Sequence, residues 1–225
     1  MIRKMIFLLA IFQFVIAGCD RSNQVNLTFD GTEICVPENY VPESNYLDNW
    51  LETNAKGMDS SEGSKIIRLP PELIKEHVPE YILSHINKHD VDLKHEISGI
   101  ADRLSNIGSP KGLAIAAWNV YQTQDNPLVI QEESGRYRIY HWGEGSSSWY
   151  LAKEVPPKDS GKEMPSDWFV GYCNNNLDTC SQSVTYKDIF YSYDIHLLDI
   201  GLSKEVANII QRLFSDWEKA CVTNN

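Results

Sequence analysis

The sequence predicts an α+β fold: mainly antiparallel sheet, a C-terminal amphipathic helix, and one or two helices in the first half. Three observations carry that expectation. From residue 112 onward, aromatic and β-branched residues recur between Gly, Ser, Asn and Pro punctuation, which reads as a series of short strands. Val206, Ile209, Ile210, Leu213, Phe214 and Trp217 repeat at helical spacing near the end, with polar residues between them. VNLTF and TEICV flank Asp30-Gly31, a dipeptide suited to the positive φ values of a tight hairpin turn.

Taken in order, the hairpin around Asp30-Gly31 comes first. Residues 37–63 follow as a long surface excursion, interrupted by Pro37 and Pro42 and carrying Tyr40, Tyr46 and Trp50. Lys65 to Leu69 reads as a short strand. Pro70-Pro71 suits a helix start, because proline fits the first turn. The stripe Ile74, Val78, Tyr81, Ile82, Ile86 continues that helix, although Pro79 should break or kink it. Leu93, Ile97, Ile100 and Leu104 predict a second helix over 92–105. Ser109-Pro110 marks a boundary. The expected strands beyond it are GLAIAAWNVYQ, PLVIQE, GRYRIYHW, SSWYLAKE, DWFVGYC and IFYSYDIHLL, with a Pro- and Lys-rich loop at 155–166. In GRYRIYHW, Tyr137, Ile139 and His141 alternate with Arg136, Arg138 and Tyr140, the pattern of a half-buried strand. Ser203 is the expected cap of a final helix running to about Cys221.

The N-terminus carries a different message. Arg3 and Lys4 precede an apolar run, Met5 to Gly18, broken only by Gln13. In a helix this run reaches about 21 Å, short of a hydrocarbon core of about 30 Å. A basic flank, a short apolar stretch and small residues at its end mark an export signal. Ile16-Ala17-Gly18-Cys19 then resembles the lipobox of bacterial lipoproteins. The resemblance implies cleavage before Cys19 and lipid on its thiol and freed amine. Asp20 behind it resembles the signal for retention at the inner membrane, so a periplasm-facing inner-membrane location is expected over the outer membrane. Acyl chains contribute about 0.8 kcal/mol per buried methylene, enough in combination to hold the protein without a spanning helix. The expected organisation is therefore a signal peptide over 1–18, a lipidated tether over 19–24, and a single α+β domain over 25–225, with a possible subdivision near 109.

Loss of residues 1–18 removes two basic and no acidic side chains, leaving 18 basic against 31 acidic, a balance of −13. So acidic a surface argues against nucleic acid or anionic headgroups as partners and suits a basic protein surface. Beyond Cys19 there are four cysteines, Cys35, Cys173, Cys180 and Cys221. An even number in an oxidising compartment points to disulfides, with three pairings open. Cys173 and Cys180 enclose NNNLDT, a turn-rich stretch that brings strand ends together, which favours Cys173–Cys180 and, by elimination, Cys35–Cys221. A four-thiolate zinc site would need two closely spaced pairs, and the chain has one.

Catalytic signatures are weak. His85 and His89 are four apart, but Ile86, Asn87 and Lys88 between them lack the glutamate of H-E-x-x-H. A metal held by His85, His89 and a distant carboxylate is the alternative to His85 bordering an apolar stripe with His89 in solvent. His77 and His95 complete the local cluster of histidines. Gly143 to Ser148 is a flexible turn, neither a nucleophile elbow nor a phosphate loop; a triad using His141 or His196 would be visible only in space. Glu132-Glu133 are adjacent on a strand and point to opposite faces. Trp118, Tyr121, Tyr137, Tyr140, Trp142, Trp149, Tyr150, Trp168 and Tyr172 are expected to be mostly core, with any exposed members serving as interface anchors. No catalytic residue, cofactor site or metal site is assigned.

The chain carries FDGTEICVPENY, IIRLPPELIKEHVPEY, SGRYRIYHWGEGSSSWYLAKEVP and a late Cys-x6-Cys before a terminal helix ending in Trp217. Together these stretches resemble periplasmic immunity lipoproteins that accompany secreted antibacterial effectors of the type VI system, phospholipases among them. The resemblance implies a non-enzymatic protein that neutralises an effector by occlusion, with no contact residues carried over. The other readings are an envelope-assembly or small-ligand-binding lipoprotein, and a periplasmic hydrolase.

Overall fold

The computed structural model describes residues 23–42, 64–107, 112–123, 129–140, 146–155, 163–165 and 167–222. Cys19, Asp20 and the expected signal lie outside the described residues, as do Tyr46, Trp50, His141 and Trp142. The fold is α+β, as the sequence predicts. A large antiparallel sheet is covered by a long C-terminal helix.

Strands β1 (Gln24–Phe29) and β2 (Thr32–Pro37) form the expected hairpin, with Asp30 at φ 46° and Gly31 at φ 110°. These positive values are what the Asp-Gly pair is there to supply. Gln24, expected in the tether, already belongs to β1. A 3-10 turn, Glu38–Tyr40, follows, and the Tyr40 ring packs 6.1 Å from Trp217. Then come β3 (Lys65–Leu69) and a single helical turn, α1 (Pro71–Lys75). Of the expected stripe, Ile74, Val78 and Tyr81 are buried, whereas Ile82 is half-buried and Ile86 exposed, and the helix stops before Pro79. Proline denies the next turn a donor and clashes with it, so Val78 and Tyr81 reach the core from irregular backbone.

Residues 92–105 are not a helix. They form β5 (Asp92–Lys94), paired with β4 (Ser84–Ile86), and β6 (Ile97–Arg103); only α2 (Leu104–Ile107) is helical. A period-2 pattern, Ile97, Gly99 and Ala101, competes with the helical stripe there, and the tertiary context decides. β6 lies between β3 and β12 (Ile189–His196), which satisfy its backbone on both sides. Gly99 is required at that position, since a methyl group would collide with the Ser192 carbonyl and the Tyr191 ring.

The opposite correction applies to GLAIAAWNVYQ, which is helix α3 (Gly112–Thr123) rather than strand. Ala114, Ala116 and Ala117 favour helix, and the run is long for a strand. Trp118 meets Trp168 edge-on at 5.1 Å and packs with Ala117, Ile139 and Ala152 in a second, smaller core.

Strands β7 (Val129–Glu133), β8 (Arg136–Tyr140), β9 (Ser148–Ala152) and β10 (Phe169–Asn174) follow the sequence reading, whereas β11 (Thr179–Tyr186) is a strand that the reading does not contain. The eight-stranded sheet runs β3-β6-β12-β11-β10-β9-β8-β7, drawing strands from both sides of residue 109. One face carries Ile67, Ala101, Tyr191, Tyr193, Ile195 and Trp149, all buried beneath the final helix and the β1–β2 hairpin. The smaller core occupies the other face at the β8–β9 end. β8 is therefore buried on both sides, at Ile139 and Tyr140, rather than half-buried.

The final helix, α4 (Ser203–Val222), buries Val206, Ile209, Ile210, Phe214 and Trp217. Ser203 does not cap it. Its backbone is already helical, and the chain enters through a 3-10 turn, Leu197–Leu202. Disulfides join Cys35 to Cys221 and Cys173 to Cys180. The first ties the hairpin to the last helix; the second crosses directly between β10 and β11, where the two residues face each other.

Candidate functional site

Three histidines and an aspartate from distant parts of the chain meet at one end of the sheet. The β4–β5 hairpin supplies His85 and brings His95, just beyond β5, back beside it. Its tip is organised by Asn87, whose side-chain oxygen accepts from the backbone N–H groups of His89 and Val91 at 2.9 and 3.1 Å. Such an Asx-type turn is a local reason for the reversal. His95 N–H donates to the Leu83 carbonyl at 2.9 Å, extending the pairing past the strands.

His196 ends β12, and Asp199 follows in the 3-10 turn. The turn accounts for both side chains. His196 Nδ1 accepts from Leu198 N–H at 3.2 Å, which directs Nε2 away from the turn. Asp199, 1% exposed, accepts Ile82 N–H on Oδ1 at 3.0 Å and His95 Nδ1–H on Oδ2.

The aspartate thereby selects the His95 tautomer with the proton on Nδ1 and turns Nε2 outward. That Nε2 lies 2.8 Å from His85 Nδ1. The His95 and His196 rings are stacked at 3.9 Å, and one nitrogen from each of His85, His95 and His196 falls within 4.8 Å of the other two. His196 Nε2 is shut off from solvent and has no hydrogen-bond partner among the described residues. Burial, with His95 and then His85 beside it, lowers His196 from its ordinary 6.5 to about 4, so this ring is neutral at pH 7.

Tyr81 braces the group by donating its hydroxyl to the His95 carbonyl at 2.8 Å. Burial first, and then the charge of Asp199, pushes its phenol well above the usual range, so it remains a donor.

The structure separates the histidines that the sequence placed together. His77 and His89 are exposed, and His89 sits at the hairpin tip rather than beside His85. His85 faces the histidine cluster instead of bordering a helical stripe. Ser146 donates to the Ser148 carbonyl at 3.0 Å, and Glu133 pairs with Arg138 as part of an exposed strand margin. Trp118, Tyr140, Trp149 and Trp168 are core, whereas Tyr137, Tyr150 and Tyr172 are half-buried.

A second feature lies on the sheet face opposite α4. Ile66, Arg68, Ser98, Ile100, Ser192 and Asp194, from β3, β6 and β12, line a trough. Its chemistry is mixed: an apolar floor, hydroxyls, a guanidinium paired with Glu96 at 3.7 Å, and an exposed carboxylate.

No family model, curated protein or solved structure matches this chain. Among the described residues, no helix is long and apolar enough to cross a membrane.

Proposed function

We propose that this chain is an exported lipoprotein, anchored through Cys19 on the periplasmic side of the inner membrane, that binds and neutralises a secreted antibacterial effector by occlusion. The observation that carries the reading is the trough of Arg68, Ser98, Ile100, Ser192 and Asp194, laid on adjacent strands of a disulfide-stapled sheet. A surface on paired strands is held rigid, so little ordering is lost when a partner docks. Its mixture of apolar floor and polar rim suits a protein surface. The surplus of acidic residues, 31 against 20 basic, adds a long-range attraction for a basic partner. Two disulfides suit an oxidising compartment.

The test is to produce the protein in the periplasm and challenge the cells with the secreted product of the neighbouring gene. Protection and a stable complex are expected, and both should be lost in Ser98→Arg and Ser192→Arg, which fill the trough. Failure of the unmodified protein to form any complex overturns the reading.

A further inference from the structure

We propose that His85, His95 and His196 form a binding site for a zinc ion, with Asp199 orienting His95 from behind. One nitrogen from each ring converges within 4.8 Å of the other two, and the candidate donors are His85 Nδ1, His95 Nε2 and His196 Nε2. Imidazole nitrogen is a preferred ligand of zinc, at about 2.0–2.1 Å. Two such nitrogens around one tetrahedral ion stand about 3.3 Å apart. His85 and His95 are already slightly closer than this, at 2.8 Å. The His196 ring is stacked on His95, with ring centroids 3.9 Å apart.

Two further observations point to an ion rather than to a self-contained hydrogen-bonded cluster. His196 Nε2 is buried and has no partner among the described residues, whereas a buried polar nitrogen ordinarily has one. The bond from His95 Nδ1 to a buried carboxylate is the arrangement that fixes the tautomer and raises the basicity of a metal-bound imidazole. Asp199 is fixed in turn by Ile82 N–H, so the support extends two shells outward. Among the described residues no free thiolate competes at this site, because Cys35, Cys173, Cys180 and Cys221 are all in disulfides.

Three protein ligands leave a fourth position for water or an external group. His85 and His196 are half-buried and His95 is buried. Bound there, zinc would staple the β4–β5 hairpin to the end of β12.

The experiment uses the exported chain with both disulfides oxidised and an affinity tag free of histidine. After chelator treatment it is titrated calorimetrically with zinc chloride, and with cobalt(II) for its visible absorption. One equivalent of zinc is expected with Kd below about 10 μM, together with the intense cobalt spectrum of a tetrahedral site. His85→Ala and His196→Ala should each weaken binding at least about tenfold, and Asp199→Asn by about 10- to 100-fold. His77→Ala and His89→Ala should leave it unchanged. Zinc should also slow hydrogen exchange at the β4–β5 amides. The proposal is overturned if the folded, unmodified protein takes up no stoichiometric zinc. Uptake that His85→Ala and His196→Ala leave unaltered overturns it equally. None of these readouts requires an effector, so this inference and the occlusion reading can fail separately.

Discussion

His95 and Asp199, 104 positions apart, share a hydrogen bond in a place where neither side chain reaches solvent. Asp199 also holds the Ile82 amide, so one carboxylate satisfies two groups from the segment that contains the β4–β5 hairpin. Replacing Asp199 by Ala leaves both donors buried without an acceptor. At about 1–3 kcal/mol for each stranded group, the expected loss is roughly 2–6 kcal/mol. Urea unfolding of the two proteins measures it; a loss within about 0.5 kcal/mol would mean that water replaces the carboxylate.

The two disulfides should differ in what they contribute. Cys35–Cys221 closes a separation of 186 residues and Cys173–Cys180 one of 7. Loop-closure entropy assigns about 5 kcal/mol to the first and about 2 kcal/mol to the second. Paired Cys→Ala variants should follow that order in thermal melts, the Cys35/Cys221 pair melting lower. The reverse order would place the origin in native packing rather than in the unfolded chain.

Gly99 lies on β6 where a side chain would meet the backbone and a ring of β12. Gly99→Ala drives a methyl into the Ser192 carbonyl, which is backbone held in the ladder and cannot rotate aside. A destabilisation of about 1–3 kcal/mol is expected, with the sheet otherwise retained by circular dichroism. An unchanged melting temperature would show that the strands separate without cost.

Glu218 gives the acid limb of stability one identifiable component. A hydrogen bond from Lys187, then one from Tyr186 at 2.6 Å, holds its carboxyl below the ordinary value of 4.5. A lowered carboxylate stabilises the fold above its unfolded pKa, and that contribution disappears as pH falls through the folded value. Stability of the native protein should therefore drop below about pH 4.5 more steeply than that of Glu218→Gln, the curves converging at lower pH. The pair lies near solvent, so the difference is small and shrinks further in salt. Parallel curves would remove Glu218 from the account.

Where local chemistry determines local structure, the sequence was readable. Asp30-Gly31 has no competing use, and the apolar stripe from Val206 to Trp217 matches a single period. Cys173 and Cys180 flank a turn too short for many alternatives. Reading failed where two periods overlapped. Ile97 and Ile100 fit one helix face, while Ile97, Gly99 and Ala101 fit one face of a strand, and only the neighbours β3 and β12 choose between them. It failed again at Ala114 to Val120, where aromatic and β-branched residues suggested strand while the alanines favoured helix.

The histidine cluster was half visible. His85 and His95 flank Asn87 and Asp90, turn residues whose presence could have suggested a hairpin with its histidines on one side. Helical spacing instead drew attention to His85 and His89. His196 and Asp199 arrive by tertiary folding alone, and no local pattern connects them to a hairpin a hundred positions earlier.

The bond between Cys35 and Cys221 closes nearly the whole described chain into a ring. A protease that nicks any loop inside that ring opens the polypeptide without releasing a piece of it. The nicked protein would migrate as one species until a reductant is added. Its two parts would remain at high effective concentration, able to rejoin after a transient opening that would scatter an unlinked pair.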